Sequence, residues 1–326
     1  MNLLLKPFGS LVSDKISCLK YNGEKLNAVY IPSLEHRQVS KIDLFQLSKY
    51  TEEIVFLYSD SVECIHLDNS TKVRIERIQS YQHFLFNFIS KIGNINAGVK
   101  WRRSFDIPHK RSFALTDARK RGYHKILLID DDIHLSEENI MTGIIALQTV
   151  ADIVGFHVVD YPDVSTVDHL ERIILEKENI ISMTGSCLFL NVETVIGDFP
   201  NIYNEDLFFF LAQSNPERIV SGGMIYQDYY VPWNSIERIC HEQFGDLIFD
   251  SIKKRLLDKT HERINWNEEI EDRINRIRKI KSKAQDVYQQ DALDNAITCL
   301  RSISESDINA FVKNYVFADW VIKYFE

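Results

Sequence analysis

The chain has 326 residues, of which 45% are hydrophobic and 26% charged, and its formal net charge at pH 7 is −9. These values exclude a wholly disordered protein and a chain too short for a sizeable core. Non-specific nucleic-acid binders carry a basic surface, so this acidic sequence predicts no nucleic-acid partner. The sequence contains no run of about 18 apolar residues, which favours a cytoplasmic protein and leaves peripheral membrane contact open.

The cysteine pattern predicts neither a disulfide framework nor a structural zinc site. The cysteines are odd in number, widely spaced and without a C-x-x-C pair. We therefore expect buried free thiols in a reducing compartment. The five positions are Cys18, Cys64, Cys187, Cys240 and Cys299.

The first part of the chain predicts the start of a parallel sheet. Two apolar segments end at Pro32-Ser33 and at Ser59-Asp60, and the residues between them have helical spacing. A strand–helix–strand unit of this kind is the building block of parallel sheets. In chain order the predicted elements are a strand over 28–31, a helix over 41–50, strands over 54–58 and 63–67, and a helix over 79–92.

The central part has the clearest pattern. A helix over 111–121 ends in basic residues followed by Gly122, which is typical of a helix terminus. The continuous apolar run over 125–129 predicts a buried parallel strand. Ser136 can cap the next helix, whose first turn holds two glutamates. Further strands are predicted over 153–159 and within 180–190.

Beyond about residue 244, strand patterns disappear and long, charged, helix-favouring segments begin. The sequence therefore predicts three parts: an N-terminal segment over 1–25, an α/β domain over 26–250, and a helical C-terminal extension over 251–326.

Three consecutive aspartates, Asp130, Asp131 and Asp132, directly follow the predicted strand over 125–129. Adjacent carboxylates repel each other, so folding alone does not explain them. Ligands bind at the carboxyl ends of strands in open α/β folds, and hard oxygen ligands suit Mg²⁺ or Mn²⁺. In extended backbone, Asp130 and Asp132 would point to one side and Asp131 to the other. The alternative is a solvated acidic turn that caps the next helix.

The segment KRSFALTDARKRGYHKILLIDDDI, which spans 110–133, resembles the nucleotide-binding half of GT-A glycosyltransferases, especially the inverting family 2 type. The resemblance implies a Rossmann-like, mostly parallel sheet flanked by helices. The aspartate cluster matches the D-x-D motif of that family. By this resemblance Asp132 binds the metal, Asp130 contacts the ribose or the metal, and Asp131 also belongs to the donor nucleotide site.

The resemblance assigns five further residues on the donor side. Pro32 and Asp60, at two strand ends, would contact the base and the ribose. Lys110 or Arg111 would supply a basic contact to the nucleotide or diphosphate. His241 would be an additional metal ligand. Ordinary turn, surface or hydrogen-bonding roles are the alternatives for all five.

The acceptor side of the family is matched by Thr184-Gly185-Ser186 and by the segment over 199–206, which ends in Glu205-Asp206. In inverting relatives a carboxylate at this place is the general base that deprotonates the acceptor hydroxyl. Either Glu205 or Asp206 could be that base. The alternative is that both are acidic residues favoured at a helix N-terminus.

Together these features predict a metal-dependent, inverting glycosyltransferase that uses Mn²⁺ or Mg²⁺. Its donor would be a nucleoside-diphosphate sugar, with a UDP-sugar as the first choice. The acceptor could be a glycan, a lipid-linked molecule, a protein or a small molecule, and a homo-oligomer through the C-terminal helices stays open.

Three other functions fit the sequence less well. A phosphoacceptor receiver domain is disfavoured because no strand-end lysine follows at the required distance. A nucleotidyltransferase that forms nucleoside-diphosphate sugars usually has a glycine-rich loop after its first strand, and residues 32–41 contain no glycine. A catalytically degenerate, nucleotide-binding scaffold is disfavoured by the intact acidic cluster and by Glu205-Asp206.

Overall fold

The computed structural model describes residues 20–33, 44–58, 72–78, 106–159, 164–177, 183–228, 236–258, 262–322 and 325. Within these ranges the chain forms one eight-stranded sheet with helices on both faces. The strands are β1 Leu26–Pro32, β2 Thr51–Tyr58, β3 Lys72–Arg77, β4 Lys125–Ile129, β5 Ile133–His134, β6 Ile153–Val159, β7 Met183–Asn191 and β8 Ile219–Gln227.

The strand order is β3-β2-β1-β4-β7-β6-β8-β5. Strands β1 to β4 run parallel to one another, β7 is antiparallel to both β4 and β6, and β8 is parallel to β6. The carboxyl ends of β1, β2, β4, β6 and β8 therefore lie at the same edge of the sheet as the amino end of β7. We call this the carboxyl edge.

The helices in the described residues are α1 Leu44–Tyr50, α2 Asp106–Arg121, α3 Glu137–Thr149, α4 Thr166–Leu175, α5 Glu205–Leu211, α6 Ile236–Asp258, α7 Trp266–Lys281, α8 Val287–Ser302, α9 Glu305–Asn314 and α10 Asp319–Ile322. Helices α1 and α3 cover one face of the sheet, and α2 and α5 cover the other. Alternate residues of β1 accordingly pack into two different cores, as strand geometry requires.

A separate core joins the C-terminal helices to the rest of the chain. Helices α6 to α10 share it with α4 and α5, and its members are fully or almost fully buried. Helix α6 runs through residue 250, where the sequence analysis placed the end of the α/β domain. The three-part division itself stays a prediction. Among the described residues, no helix is both long and apolar enough to span a lipid bilayer.

The predicted α/β class, with a mostly parallel sheet flanked by helices and a helical C-terminal part, is confirmed. Strands β4 and β6 have the predicted bounds, and Ser136 caps α3 as expected. Helix α2 begins five residues before the predicted start, because Asp106 and Pro108 both suit a first helical turn. The predicted strand over 63–67 and the predicted helix over 79–92 lie outside the described residues.

Strand β8 is an element that the sequence analysis did not predict. Its glycines interrupt the apolar alternation, which hid the strand. Gly222 is required by packing, since a Cβ there would lie 2.4 Å from Cζ of Phe156 on the neighbouring strand. The interruption in the pattern is therefore a consequence of tertiary contact.

The prediction of free thiols is wrong for two cysteines. Cys240 on α6 and Cys299 on α8 form a disulfide, with their Cα atoms 5.4 Å apart. The two residues are 59 positions apart in sequence, so only the packing of α6 against α8 reveals the pair. Cys187 is a buried free thiol as expected, whereas Cys18 and Cys64 lie outside the described residues.

Candidate functional site

The aspartate cluster lies at the carboxyl edge, in a turn directly after β4. The turn is closed by the Ile133 amide, which donates to the Asp130 carbonyl oxygen at 3.3 Å. The backbone turns after Ile129, so the segment is not extended as the sequence analysis expected. Each of the three carboxylates instead has a different partner.

Asp130 belongs to an ion-pair network centred on Arg111 of α2. One terminal nitrogen of Arg111 binds both carboxylate oxygens of Asp130 at 2.9 Å. The other terminal nitrogen lies 2.5 Å from Oε1 of Glu205, the first residue of α5. The Arg111 side chain is only 5% exposed. A single buried guanidinium thus connects the predicted donor side of the site to the predicted acceptor side.

Gly185 at the amino end of β7 makes this arrangement possible. A Cβ at this position would lie 2.6 Å from Arg111 Nη1 and 2.6 Å from Cβ of Asp206. The Gly185 amide donates to Oδ2 of Asp206 at 2.5 Å, and the Leu207 amide donates to Oδ1 at 2.8 Å. Asp206 is therefore held by backbone amides on both of its carboxylate oxygens.

Asp131 points towards the end of β1. Its Oδ2 accepts a hydrogen bond of 2.8 Å from the hydroxyl of Ser33, which is fully buried. Lys110 is also fully buried, and it donates to the Ser33 carbonyl oxygen at 2.7 Å while forming an ion pair with Asp106. Lys110 therefore stabilises the backbone at the carboxyl end of β1. Pro32, the last residue of β1, is buried beside it.

Asp132 faces the last residue of β8. The side-chain amide of Gln227 donates to the two carboxylate oxygens of Asp132 at 3.4 and 3.3 Å. The Oε1 atom of Gln227 is buried and has no hydrogen-bond partner among the described residues. The carboxylate and this orphaned amide oxygen are hard oxygen donors of the kind that Mg²⁺ and Mn²⁺ prefer.

The structure does not bring His241 together with the aspartates into a ligand cluster. His241 lies on α6, is 8% exposed, and its ring meets that of Tyr203 edge-on at 6.3 Å. Within the described ranges, no group of three or more His, Cys, Asp or Glu side chains could hold a metal ion. The metal-ligand role of His241 stays a prediction, and Asp60 lies outside the described residues.

Burial changes the ionisation of the network around Arg111. Desolvation raises the pKa of Asp130 to about 7, although Arg111 opposes the shift. Desolvation likewise raises the pKa of Glu205 to about 8, with Arg111 opposing it and Asp206 adding to it. The pKa of Asp206 is raised for the same principal reason, and burial lowers the pKa of Lys110. One arginine does not fully compensate for these buried acids.

Two site residues were missed by the sequence analysis. Asp106, the partner of Lys110, could have been found from its i,i+4 spacing on a helix that begins earlier than predicted. Gln227 had no sequence signal, since its strand was not predicted.

No described protein family matches the sequence, and no curated protein matches it. One similar solved structure is 4-diphosphocytidyl-2C-methyl-D-erythritol synthase from Anaerococcus prevotii DSM 20548. It is 12% identical with a TM-score of 0.32, and the match covers 64% of this chain and 89% of that one.

A second similar structure comes from Desulfovibrio desulfuricans G20 and is assigned provisionally as a nucleotide-diphospho-sugar transferase. It is 7% identical with a TM-score of 0.36, and the match covers 78% of this chain and 98% of that one. Neither similarity tests the inverting family 2 assignment.

Proposed function

We propose that the protein is a metal-dependent glycosyltransferase with a GT-A type of site. It would move a sugar from a nucleoside-diphosphate sugar to an acceptor hydroxyl, with inversion at the anomeric carbon. The observation that carries the proposal is the network at the carboxyl edge, in which Arg111 joins Asp130 to Glu205. The residues assigned separately to donor and acceptor meet there around one guanidinium.

The contacts favour Glu205 over Asp206 as the general base. Both oxygens of Asp206 accept hydrogen bonds from backbone amides, which suits a positioning role. Glu205 uses Oε1 to bind Arg111, while its side chain is 14% exposed. A pKa of about 8 also gives the Glu205 carboxylate the proton affinity that a base needs near neutral pH. The acceptor proton would pass to this carboxylate as the hydroxyl oxygen attacks the anomeric carbon.

Asp132 is the residue best suited to hold the divalent cation. The Gln227 amide nitrogen faces Asp132, and a flip of this amide would bring its unpaired oxygen to the same cation. Mg²⁺ usually binds one or two carboxylates together with substrate phosphates. A ligand group of three protein side chains is therefore not required. When bound, the cation would offset the negative charge of the nucleoside diphosphate as it leaves. Asp130 is held by Arg111, so it would act at the ribose or beside the cation.

The test is calorimetric titration of the protein with a panel of nucleoside diphosphates, with and without Mn²⁺. We expect one nucleotide to bind in a manganese-dependent way, and Asp132→Ala to lower its affinity at least ~100-fold. The matched control is Asp152→Asn. Asp152 pairs with Arg218 at 2.8 Å beside the amino ends of β6 and β8, away from the carboxyl edge. The control should bind like the wild type.

Transfer itself is tested with the sugar nucleotide of the base that binds. Glu205→Gln should slow transfer or donor hydrolysis while donor affinity stays within about twofold. Full activity in Asp132→Ala would refute the site assignment. Nucleotide binding without turnover would identify a scaffold, and release of pyrophosphate from a nucleoside triphosphate would identify a nucleotidyltransferase.

A further inference from the structure

Helix α5, which begins with Glu205 and Asp206, has an unusual start. Its N-cap residue Asn204 is in the left-handed region, with φ 64° and ψ 29°, and its side chain makes no capping hydrogen bond. Asparagine at an N-cap normally accepts a hydrogen bond from an amide of the first helical turn. The Asn204 side chain instead donates to Oδ1 of Asp246 on α6 at 2.9 Å. The start of α5 is therefore held from another helix.

Helix α6 also contacts the backbone that directly precedes α5. A Cβ at Gly245 would lie 2.0 Å from the Tyr203 carbonyl oxygen and 2.7 Å from its carbonyl carbon. No side chain larger than hydrogen fits at this contact. Two adjacent residues of α6, Gly245 and Asp246, thus contact the two residues that directly precede Glu205.

Asp246 is in turn fixed by the C-terminal helices. Its Oδ2 lies 2.5 Å from a terminal nitrogen of Arg273 on α7. Arg273 also binds Asp250 at 2.7 Å. Both Asp246 and Arg273 are more than nine-tenths buried. A continuous path of contacts runs from α7 through Asp246 and Asn204 to Glu205.

We infer that Asn204 and Asp246 are positioning residues, which set the direction of the Glu205 carboxylate against Arg111. By this inference, Asp246 on α6 and its partner Arg273 on α7 help to position the site. The kinetic part rests on the proposed function, since it needs turnover by Glu205. The physical reason is that a displacement of about 1 Å at a reacting group can cost up to ~100-fold in rate.

The first test is Asn204→Gly. Glycine adopts positive φ readily, so this variant removes the side-chain hydrogen bond and leaves the backbone conformation accessible. We expect amide hydrogen exchange in peptides covering 203–211 to rise about 10-fold, because the first turn of α5 loses its external contact. We also expect kcat for transfer to fall about 10-fold while the donor KM stays within twofold.

The matched control is Asp272→Asn. Asp272 is 66% exposed and pairs with Lys254 at 3.2 Å, outside the path of contacts from Arg273 through Asp246 to Asn204. This variant should leave exchange over 203–211 and kcat unchanged.

A rescue experiment separates positioning from general damage to the fold. Asn204→Asp alone places a carboxylate against Asp246 and should reproduce the loss of kcat. The double variant Asn204→Asp with Asp246→Asn exchanges donor and acceptor and should recover most of it.

Unchanged exchange over 203–211 in Asn204→Gly would overturn the inference, and so would equal effects of Asn204→Gly and Asp272→Asn. The exchange measurement tests the inference even when no sugar nucleotide is turned over. An absence of turnover would refute the proposed function alone.

Discussion

The carboxyl edge and the interface between α4, α6 and α7 both bury charged side chains, but they balance them differently. The interhelix cluster comprises Asp168, Glu171, Asp246, Asp250, Arg273 and Arg276. Arg276 binds Asp168 and Glu171 at 2.6 Å each, and Arg273 binds Asp246 and Asp250. At the carboxyl edge Arg111 binds both Asp130 and Glu205, and Asp206, Asp131 and Asp132 lie nearby.

The pKa values of the buried acids show the difference in part. In the interhelix cluster the charges of Arg276 and Arg273 outweigh burial at Asp168 and lower the pKa of that carboxyl, whereas burial prevails at Asp246 and raises its pKa to about 7. At the carboxyl edge burial prevails at both acids that Arg111 binds, and the pKa values of Asp130 and Glu205 rise. The interhelix cluster therefore holds carboxyls shifted in both directions, whereas the two acids bound by Arg111 are both shifted upwards.

The largest expected effect lies in the interhelix cluster. Arg273→Leu leaves Asp246 and Asp250 buried without their shared cation, which should lower the free energy of unfolding by about 3–5 kcal/mol. Denaturant titration measures this. Arg278→Leu on the same helix is the control, because Arg278 is exposed and its side chain donates to Asn275 within its own helix. Equal stability of the two variants would contradict a structural role for the cluster.

The disulfide between Cys240 and Cys299 should contribute to the same interface. Because it closes a loop of 59 residues, Cys299→Ser should lower the free energy of unfolding by about 2–4 kcal/mol. Denaturant titration of oxidised and reduced protein checks the value. Alkylation of both thiols in freshly purified, unreduced protein would instead support the original prediction of free cysteines.

At the carboxyl edge, Arg111→Lys should reduce transfer by about 10- to 100-fold while stability changes less than in Arg273→Leu. Lysine keeps the charge but cannot bind Asp130 with two hydrogen bonds and reach Glu205 at the same time. The control is Arg119→Lys on the same helix, since Arg119 is 37% exposed and pairs with Asp198 at 3.4 Å. Steady-state rates with the identified sugar nucleotide compare the Arg111→Lys and Arg119→Lys variants.

The carboxyl edge should also give the protein a pH-dependent stability. The pKa values of Asp130 and Glu205 are higher in the folded protein than in the unfolded chain. The folded state therefore holds these protons more tightly, and the free energy of unfolding should fall as pH rises from about 5 to about 8. Glu205→Gln should flatten this decline. Asp294→Asn, which alters a carboxylate that is 53% exposed, should leave it unchanged.

Much of the fold could be predicted because local sequence carries its signals. The apolar run over 125–129, Gly122 after α2 and the cap at Ser136 each depend on neighbouring residues, and the structure confirms these elements. Strand β8 could not be predicted, because Gly222 is explained by the Phe156 ring from another strand.

The candidate site was predictable to the same extent. Its acidic residues were visible as Asp130-Asp131-Asp132 after a strand and as Glu205-Asp206 at a helix start. Their separate partners were not visible, since the contacts of Arg111 with Asp130 and Glu205 span 19 and 94 positions of sequence. A pattern in sequence identifies residue types, but it does not give the distances between them.

The sequence by itself therefore determined the α/β class, the positions of the main strands along the chain and the position of the acidic cluster. It could do so because hydrophobic periodicity and helix-end signals act over a few residues. Only the tertiary structure decided which carboxylate meets which cation, that Cys240 pairs with Cys299, and that α6 contacts the turn before Glu205. Those features depend on packing between elements that are distant in the chain, and burial there sets both the hydrogen-bond partners and the pKa values.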